Sequence, residues 1–208
     1  MNTLSDFRPG QFYHVFNRTN NKELLFRTDE NKRYFLQQYI KYVSPFVQTY
    51  AYILLPTHFH FLISINSISE LKSTIQDTEV SIRSKVEVEF EKSLEEELCH
   101  KIISTRFSRL FTSYTLSYNK LYKRHGNLFS RRFKRSRITN ENKFGYLQFY
   151  IHRNIEKHGI DRNWEKYAWS SYNIILSEKE TFLNRAYVVE YFGCREQFIT
   201  FIKDSSFK

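Results

Sequence analysis

The chain has 208 residues, 41% hydrophobic and 18% aromatic with only 5 Gly and 3 Pro, a composition that supports a packed core and excludes a disordered polymer. Its net charge of +10 favours an anionic polymer or surface as partner, and no apolar run reaches the roughly 20 residues needed to cross a bilayer. The first residues, Met1-Asn2-Thr3-Leu4-Ser5-Asp6, lack the basic and apolar regions of a signal peptide, so the expectation is one cytoplasmic domain over 1–208 with reduced, chemically idle Cys99 and Cys194.

Residues 11–17 alternate apolar and polar character and predict a strand that ends at the turn-rich Arg18-Thr19-Asn20-Asn21. His14 reads as an edge or sheet-face histidine, with approach to a metal or phosphate site as the alternative. Thr28 is a natural N-cap, with Asp29 and Glu30 in the first turn of a helix that runs to about Tyr42 and stops near Ser44-Pro45. Val47 to Leu55 and His58 to Ile65 predict an antiparallel hairpin closed by Pro56-Thr57. Strand alternation puts His58 and His60 on one face, and Phe59, Phe61, Ile63 and Ile65 on the core face. Two convergent imidazoles on a rigid sheet suit metal binding; a strand whose histidines are only hydrogen-bonded is the alternative.

From Glu70 to Glu97 the pattern turns helical and nine acidic residues outnumber four basic ones, predicting a solvated helical excursion over 70–100 that a polyanion would repel. Residues 101–140 reverse this, with eleven Lys or Arg and no Asp or Glu. Leu110, Tyr114, Ser117 and Leu121 track one helical face. The other interleaved aromatics are free to stack on bases, so the stretch predicts a single-stranded nucleic-acid surface. Its candidate contacts are Arg124, Arg131, Arg132, Lys134, Arg135 and Arg137. After the break at Gly126-Asn127, Leu128 to Ile138 reads as a strand with basic residues on its exposed face.

A further helix is predicted from about Asn140 to His158, with Gly159 as its stop. Tyr146, Tyr150 and Asn154 recur at i, i+4 and i+8, which points Tyr150 and Asn154 at one place; an ordinary packing tyrosine is the alternative. His152 and Arg153 face away and read as surface or phosphate contacts. Trp164 to Tyr172 reads as an aromatic docking loop, and 176–208 as a tail with one or two short helices.

Four features stand in one order: Tyr13-His14-Val15-Phe16-Asn17-Arg18, Pro56-Thr57-His58-Phe59-His60, Gly126-Asn127-Leu128-Phe129-Ser130-Arg131-Arg132-Phe133-Lys134, and Tyr150-Ile151-His152-Arg153-Asn154. Together, and with the late Phe192-Gly193-Cys194-Arg195-Glu196, they resemble the single-tyrosine transposases of the HUH nuclease superfamily, most closely the REP-associated tyrosine transposases. The resemblance covers most of residues 11–175 and leaves the acidic region as an insertion. It implies a ferredoxin-like α+β sandwich, a central antiparallel sheet with helices on its faces, with the acidic helical insertion and the C-terminal helical tail added. It also implies a divalent metal, Mg²⁺ or Mn²⁺, on His58 and His60 with Asn154 as third ligand, and Tyr150 as nucleophile. The implied activity is nicking and rejoining of single-stranded, hairpin-containing DNA through a 5′-phosphotyrosine, as a monomer or a homodimer. A non-catalytic binder of structured DNA or RNA on the same scaffold is the alternative. One departure stands out: the helix tyrosine of this branch is commonly followed by Asn-Pro, whereas Ile155 follows Asn154 here, so the helix is expected to run on regularly. Because ligation needs neutral histidines, nicking is expected to fall below about pH 6.

Overall fold

A computed structural model describes residues 4–20, 23–78, 84–92, 96–130 and 132–207. Four strands, β1 (Phe12–Arg18), β2 (Val47–Leu55), β3 (His58–Ile65) and β4 (Lys134–Ile138), form one sheet in the order β2-β3-β1-β4, with every pairing antiparallel. Helix α1 (Asp29–Tyr42) links β1 to β2, and the segment with α2 (Ile68–Gln76), α3 (Lys85–Lys92) and α4 (Glu96–Leu121) links β3 to β4. This strand-helix-strand-strand-helix-strand order is the ferredoxin-like α+β sandwich. Among the described residues, no helix is long and apolar enough to cross a membrane.

Local chemistry sets these elements. Thr28 caps α1 through Asn31 N, and Asn31 Oδ1 accepts back from Thr28 N at 3.3 Å, a reciprocal capping box. From α1 the buried Phe35 and Tyr39 meet β3, Phe35 with its ring 5.1 Å from Phe59 and Tyr39 stacked 4.1 Å from Phe61. The β2–β3 turn is held from outside: Leu25 N donates to Pro56 O at 2.7 Å and Thr19 N to Thr57 O at 3.0 Å. That pins the end of β3 at which His58 sits.

Helix α5 (Glu141–His152) covers the opposite sheet face, followed by α6 (Asn154–Lys157), α7 (Tyr172–Leu176), α8 (Arg185–Phe192) and α9 (Arg195–Asp204). Phe144 of α5 packs on Phe12 and Tyr50, with ring centroids 5.6 and 5.5 Å away, and Gln148 Nε2 donates to Tyr50 O at 3.3 Å. The aromatic loop docks on β2 as expected, Leu54 N donating to Trp169 O and Ser171 N to Tyr52 O, both at 2.9 Å.

Several expectations are corrected. The buried stripe of α4 is Ile103, Phe107, Leu110, Tyr114 and Tyr118, while Ser117 is exposed and Leu121 is 63% exposed. The helix crosses the sheet so that its contact stripe continues through Tyr118 and leaves Leu121 outside. Phe107, Tyr114, Tyr118 and Phe129 are buried, and Phe111, Tyr122 and Phe133 pack against the core. These aromatics close the hydrophobic interior and are not stacking platforms. Within the acidic stretch, of which residues 79–83 and 93–95 lie outside the described ones, Glu87 is not solvated: it is fully buried, 2.5 Å from Arg106 Nε. Arg106 also lies 4.1 Å over the Phe46 ring, so one cation of the basic stretch is internal. The strand predicted from Leu128 begins only at Lys134, after a lone bridge from Phe129 to Thr19.

The helix carrying Tyr150 also departs from expectation. It breaks at Arg153, whose φ of −96° and ψ of 10° end α5 before Asn154 starts α6. The Arg153 guanidinium donates to the carbonyls of Lys203 at 3.1 Å and Ser205 at 2.8 Å, and to Glu156 at 2.7 Å. Docking of the tail therefore accompanies a break that proline is not needed to produce. His152 is not a surface group either: it is fully buried and 2.7 Å from Ser171 Oγ.

Candidate metal and nucleophile centre

Pairing of β1 with β3 puts Phe16 opposite His60 and Arg18 opposite His58. Antiparallel partners share a face, so His14, Phe16, His58 and His60 all project toward α5. His58 and His60 lie with ring centroids 5.3 Å apart. Across the gap, the half-buried Tyr150 presents its ring edge-on to His60 at 5.6 Å and to His14 at 5.8 Å. Asn154, fully buried after the helix break, holds Oδ1 3.3 Å from His58 Nε2. The structure thus brings together His58, His60, Asn154 and Tyr150, which come from one strand and from two helical segments about ninety residues later in the chain.

The hydrogen bonds constrain the tautomers. Thr57 Oγ1 lies 3.0 Å from His58 Nδ1, and His14 Nε2 lies 2.8 Å from His60 Nδ1. If both Nδ1 atoms carry the proton, His58 and His60 each keep an Nε2 lone pair for a cation, the usual arrangement in which a second polar group orients a metal-binding imidazole. His58 Nε2 and Asn154 Oδ1 would then face each other as two acceptors, which a cation between them resolves. Their 3.3 Å separation is close to the roughly 3 Å between adjacent ligands of an ion bound at about 2.1 Å. Asn154 Nδ2 is buried without a hydrogen-bond partner, which is consistent with an amide held for its oxygen. Among the described residues no group of three or more His, Cys, Asp or Glu is arranged to hold a metal ion by itself, so the candidate donor set is two imidazoles and one amide. Two imidazoles and an amide oxygen are neutral donors of a kind that fits a divalent ion.

Electrostatics keep the imidazoles neutral. Burial, with the nearby Lys143, lowers His14 to about 3; burial, with His158 and Arg18, lowers His58 to about 4. His60 is held well below the ordinary value by burial and by the neighbouring His14 and His58. No acidic group figures among these causes. Lys157 Nζ stands 4.5 Å over the Tyr150 ring, and Arg18 is exposed beside His58. The site is a positive field around neutral donors, as an anion-binding site requires.

The predicted basic contacts separate into two groups. Arg124 is engaged internally, with Glu23 Oε2 at 2.8 Å, Asn119 Oδ1 at 2.9 Å and Asn127 O at 2.9 Å. Arg135 is engaged by Ser5 O at 2.8 Å and His100 Nε2 at 3.3 Å. Arg132 and Lys134 are exposed and Arg137 is half-buried; Arg131 lies outside the described residues. Two site neighbours were not singled out from sequence, Lys157 and His158, whose ring lies 4.7 Å from that of His58, and His14 reads there as a sheet-face histidine rather than as part of the centre. His14 had a signal in its strand parity, but its partner lies 46 positions away and only the β1–β3 register joins them.

No protein-family model and no curated protein matches the sequence. Among solved structures, that of the REP-associated tyrosine transposase bound to a REP hairpin aligns over 84% of this chain and 84% of its own, with a TM-score of 0.56 and 14% identity. At that identity the likeness is one of fold: the chain shares with that transposase an α+β architecture built on a central antiparallel sheet.

Proposed function

We propose that this chain is a metal-dependent enzyme that nicks and rejoins single-stranded, hairpin-containing DNA, a transposase of the single-tyrosine HUH type closest to the REP-associated branch. The observation that carries the reading is the meeting of His58, His60 and Asn154 with Tyr150. The fold likeness to a transposase solved with hairpin DNA supports it. On this reading residues 70–100 are an acidic insertion and residues 176–208 an appended tail.

Tyr150 Oη attacks the scissile phosphorus, forming a phosphotyrosine with the 5′ end of the downstream strand and breaking the bond to the 3′ oxygen of the upstream strand. The phenol loses its proton and the departing oxygen gains one, leaving a free 3′-OH. The reverse attack by a 3′-OH rejoins a strand without another energy source, because the phosphodiester energy is held in the phosphotyrosine. Lys157 places positive charge beside the phenol, where negative charge develops. His58, His60 and Asn154 would hold Mg²⁺ or Mn²⁺, which when bound polarises the scissile phosphate and stabilises charge on its oxygens. His14 orients His60, and the β2–β3 turn fixes His58.

The test is incubation of the protein with end-labelled hairpin DNA and Mn²⁺. Expected are a downstream fragment linked to the protein through its 5′-phosphate and an upstream fragment ending in a free 3′-OH, both lost in Tyr150→Phe and in His58→Ala. Salt-sensitive binding with no cleavage of any hairpin, unchanged by either substitution, would instead assign the chain to the non-catalytic binders of structured nucleic acid.

A further inference from the structure

At the β4 edge of the sheet, three segments enclose a cleft of about 430 Å³. The loop before β1 contributes Asp6 and Arg8, β4 and the residue after it contribute Ser136, Arg137 and Thr139, and the first turn of α5 contributes Lys143. The volume lies within the range of small-ligand clefts, about 300–1,000 Å³, and three cations face one carboxylate.

That carboxylate is already engaged, since Asp6 lies 3.5 Å from His100 Nε2 and 3.8 Å from Arg135 NH2. The two arginines are not: among the described residues, neither the Arg8 nor the Arg137 guanidinium has a hydrogen bond or an ion pair. The contrast along β4 is informative, because Arg135, two residues before Arg137, is tied to Ser5 O and His100. Arg8 is also held in place. The Tyr13 hydroxyl accepts from Arg8 N at 2.8 Å and donates to Asp6 O at 2.7 Å. Pro9 and Gly10, with φ of +69°, complete a turn closed by Gln11 N on Arg8 O at 3.3 Å, the pairing of proline and left-handed glycine that tight turns favour.

The cleft adjoins the candidate centre. Ser136 lies directly opposite His14 in the β1–β4 register, and His14 touches His60 at 2.8 Å. Arg137 pairs with Tyr13 and so leaves β4 on the other face from Ser136 and His14, which places its guanidinium at the β4 edge, where a strand leaving the centre would pass around the sheet. Unpaired guanidiniums, that of Arg8 carried on an anchored backbone, match the planar, multidentate recognition of a phosphate.

We propose that this cleft, through Arg8 and Arg137, binds a backbone phosphodiester of single-stranded DNA at the β4 edge, apart from the reacting one. The inference rests on the nucleic-acid reading above, and it is tested without cleavage. Binding of a fluorescent single-stranded DNA is titrated over a range of salt concentrations, in EDTA, for the wild type, Arg8→Gln, Arg137→Gln, their double variant and Lys41→Gln. Lys41 is exposed in the last turn of α1 and does not line the cleft. The double variant is expected to weaken binding about tenfold and to reduce the salt slope by about 0.7 to 1, the loss of one phosphate contact, while Lys41→Gln changes neither. Equal effects from Lys41→Gln, an unchanged slope in the double variant, or full displacement of the DNA by inorganic phosphate at matched ionic strength would overturn the subsite. Failure of wild-type protein to cleave, with the slope change intact, would instead count against the enzymatic reading alone.

Discussion

Substitution of His14 by Ala separates orientation of the site from mere packing. Among the described residues His60 Nδ1 has one hydrogen-bond partner, His14 Nε2 at 2.8 Å, and His60 is only 5% exposed. Removing that partner forfeits a net hydrogen bond worth about 1 kcal/mol and leaves a buried ring nitrogen unsatisfied, at a cost of about 1–3 kcal/mol. A destabilisation of about 2 kcal/mol follows, which for a chain of this size lowers Tm by roughly 4–8 °C. A second effect is specific to the proposed role: freeing the ring of a metal-binding histidine typically weakens metal affinity about 10- to 100-fold. The assay is calorimetric titration of Mn²⁺ into the wild type, His14→Ala and His14→Gln, alongside thermal unfolding. The glutamine side chain can restore a polar partner for Nδ1, so it should recover most of the metal affinity. If His14→Ala lowers Tm while Mn²⁺ affinity stays at the wild-type value, His14 only fills space and the tautomer argument fails.

Other consequences are equally open to measurement. His14 and His152 are lowered to about 3 and His58 to about 4, so between about pH 6.5 and 4 the unfolded chain takes up protons that the native chain refuses. Stability is therefore fully present above the ordinary histidine value and lost as pH falls, by up to about 1.4 kcal/mol per pH unit for each such group. Urea unfolding at pH 7.5 and pH 5 should show the loss, and equal midpoints would contradict the neutral-histidine description. The same burial shifts the expected acid limit of nicking downward, from about pH 6 for free imidazoles toward the value of about 4 at His58. Arg106→Met should cost about 3–5 kcal/mol by stranding the buried Glu87; adding Glu87→Met should recover most of it, and a double variant as unstable as the single would refute the pairing. Asn154→Asp sets a carboxylate beside His58 Nε2 and should tighten Mn²⁺ binding by about tenfold, equivalent to about 1.4 kcal/mol; weaker binding would argue against Asn154 as a ligand.

Sequence made the sheet and its histidine face legible because strand parity and the Pro56-Thr57 turn are local. The same holds for Thr28 and α1, and for the spacing of Tyr150 and Asn154. What it hid was tertiary. The break at Arg153 coincides with contacts to carbonyls some fifty residues later, which no pattern around Ile155 encodes. The basic, aromatic stretch was misleading because charge and aromatic content do not report direction: Tyr114 and Tyr118 turn inward to donate to Leu25 O and Leu24 O, each at 2.6 Å. Arg124 and Arg135 look like phosphate contacts in sequence, yet each already has oxygen partners within the chain. Arg8, outside the basic stretch, has none for its guanidinium among the described residues. Counting cations along the chain therefore locates a basic surface only coarsely; their internal partners decide which remain available.

The central claim is that Tyr150 becomes covalently joined to DNA. Protein incubated with a hairpin-containing single strand and Mn²⁺, digested and analysed by mass spectrometry, should carry the nucleotide adduct on the peptide containing Tyr150, and Tyr150→Phe should carry none. An adduct on Tyr146 or another residue, or persistence of the adduct in Tyr150→Phe, would contradict the account.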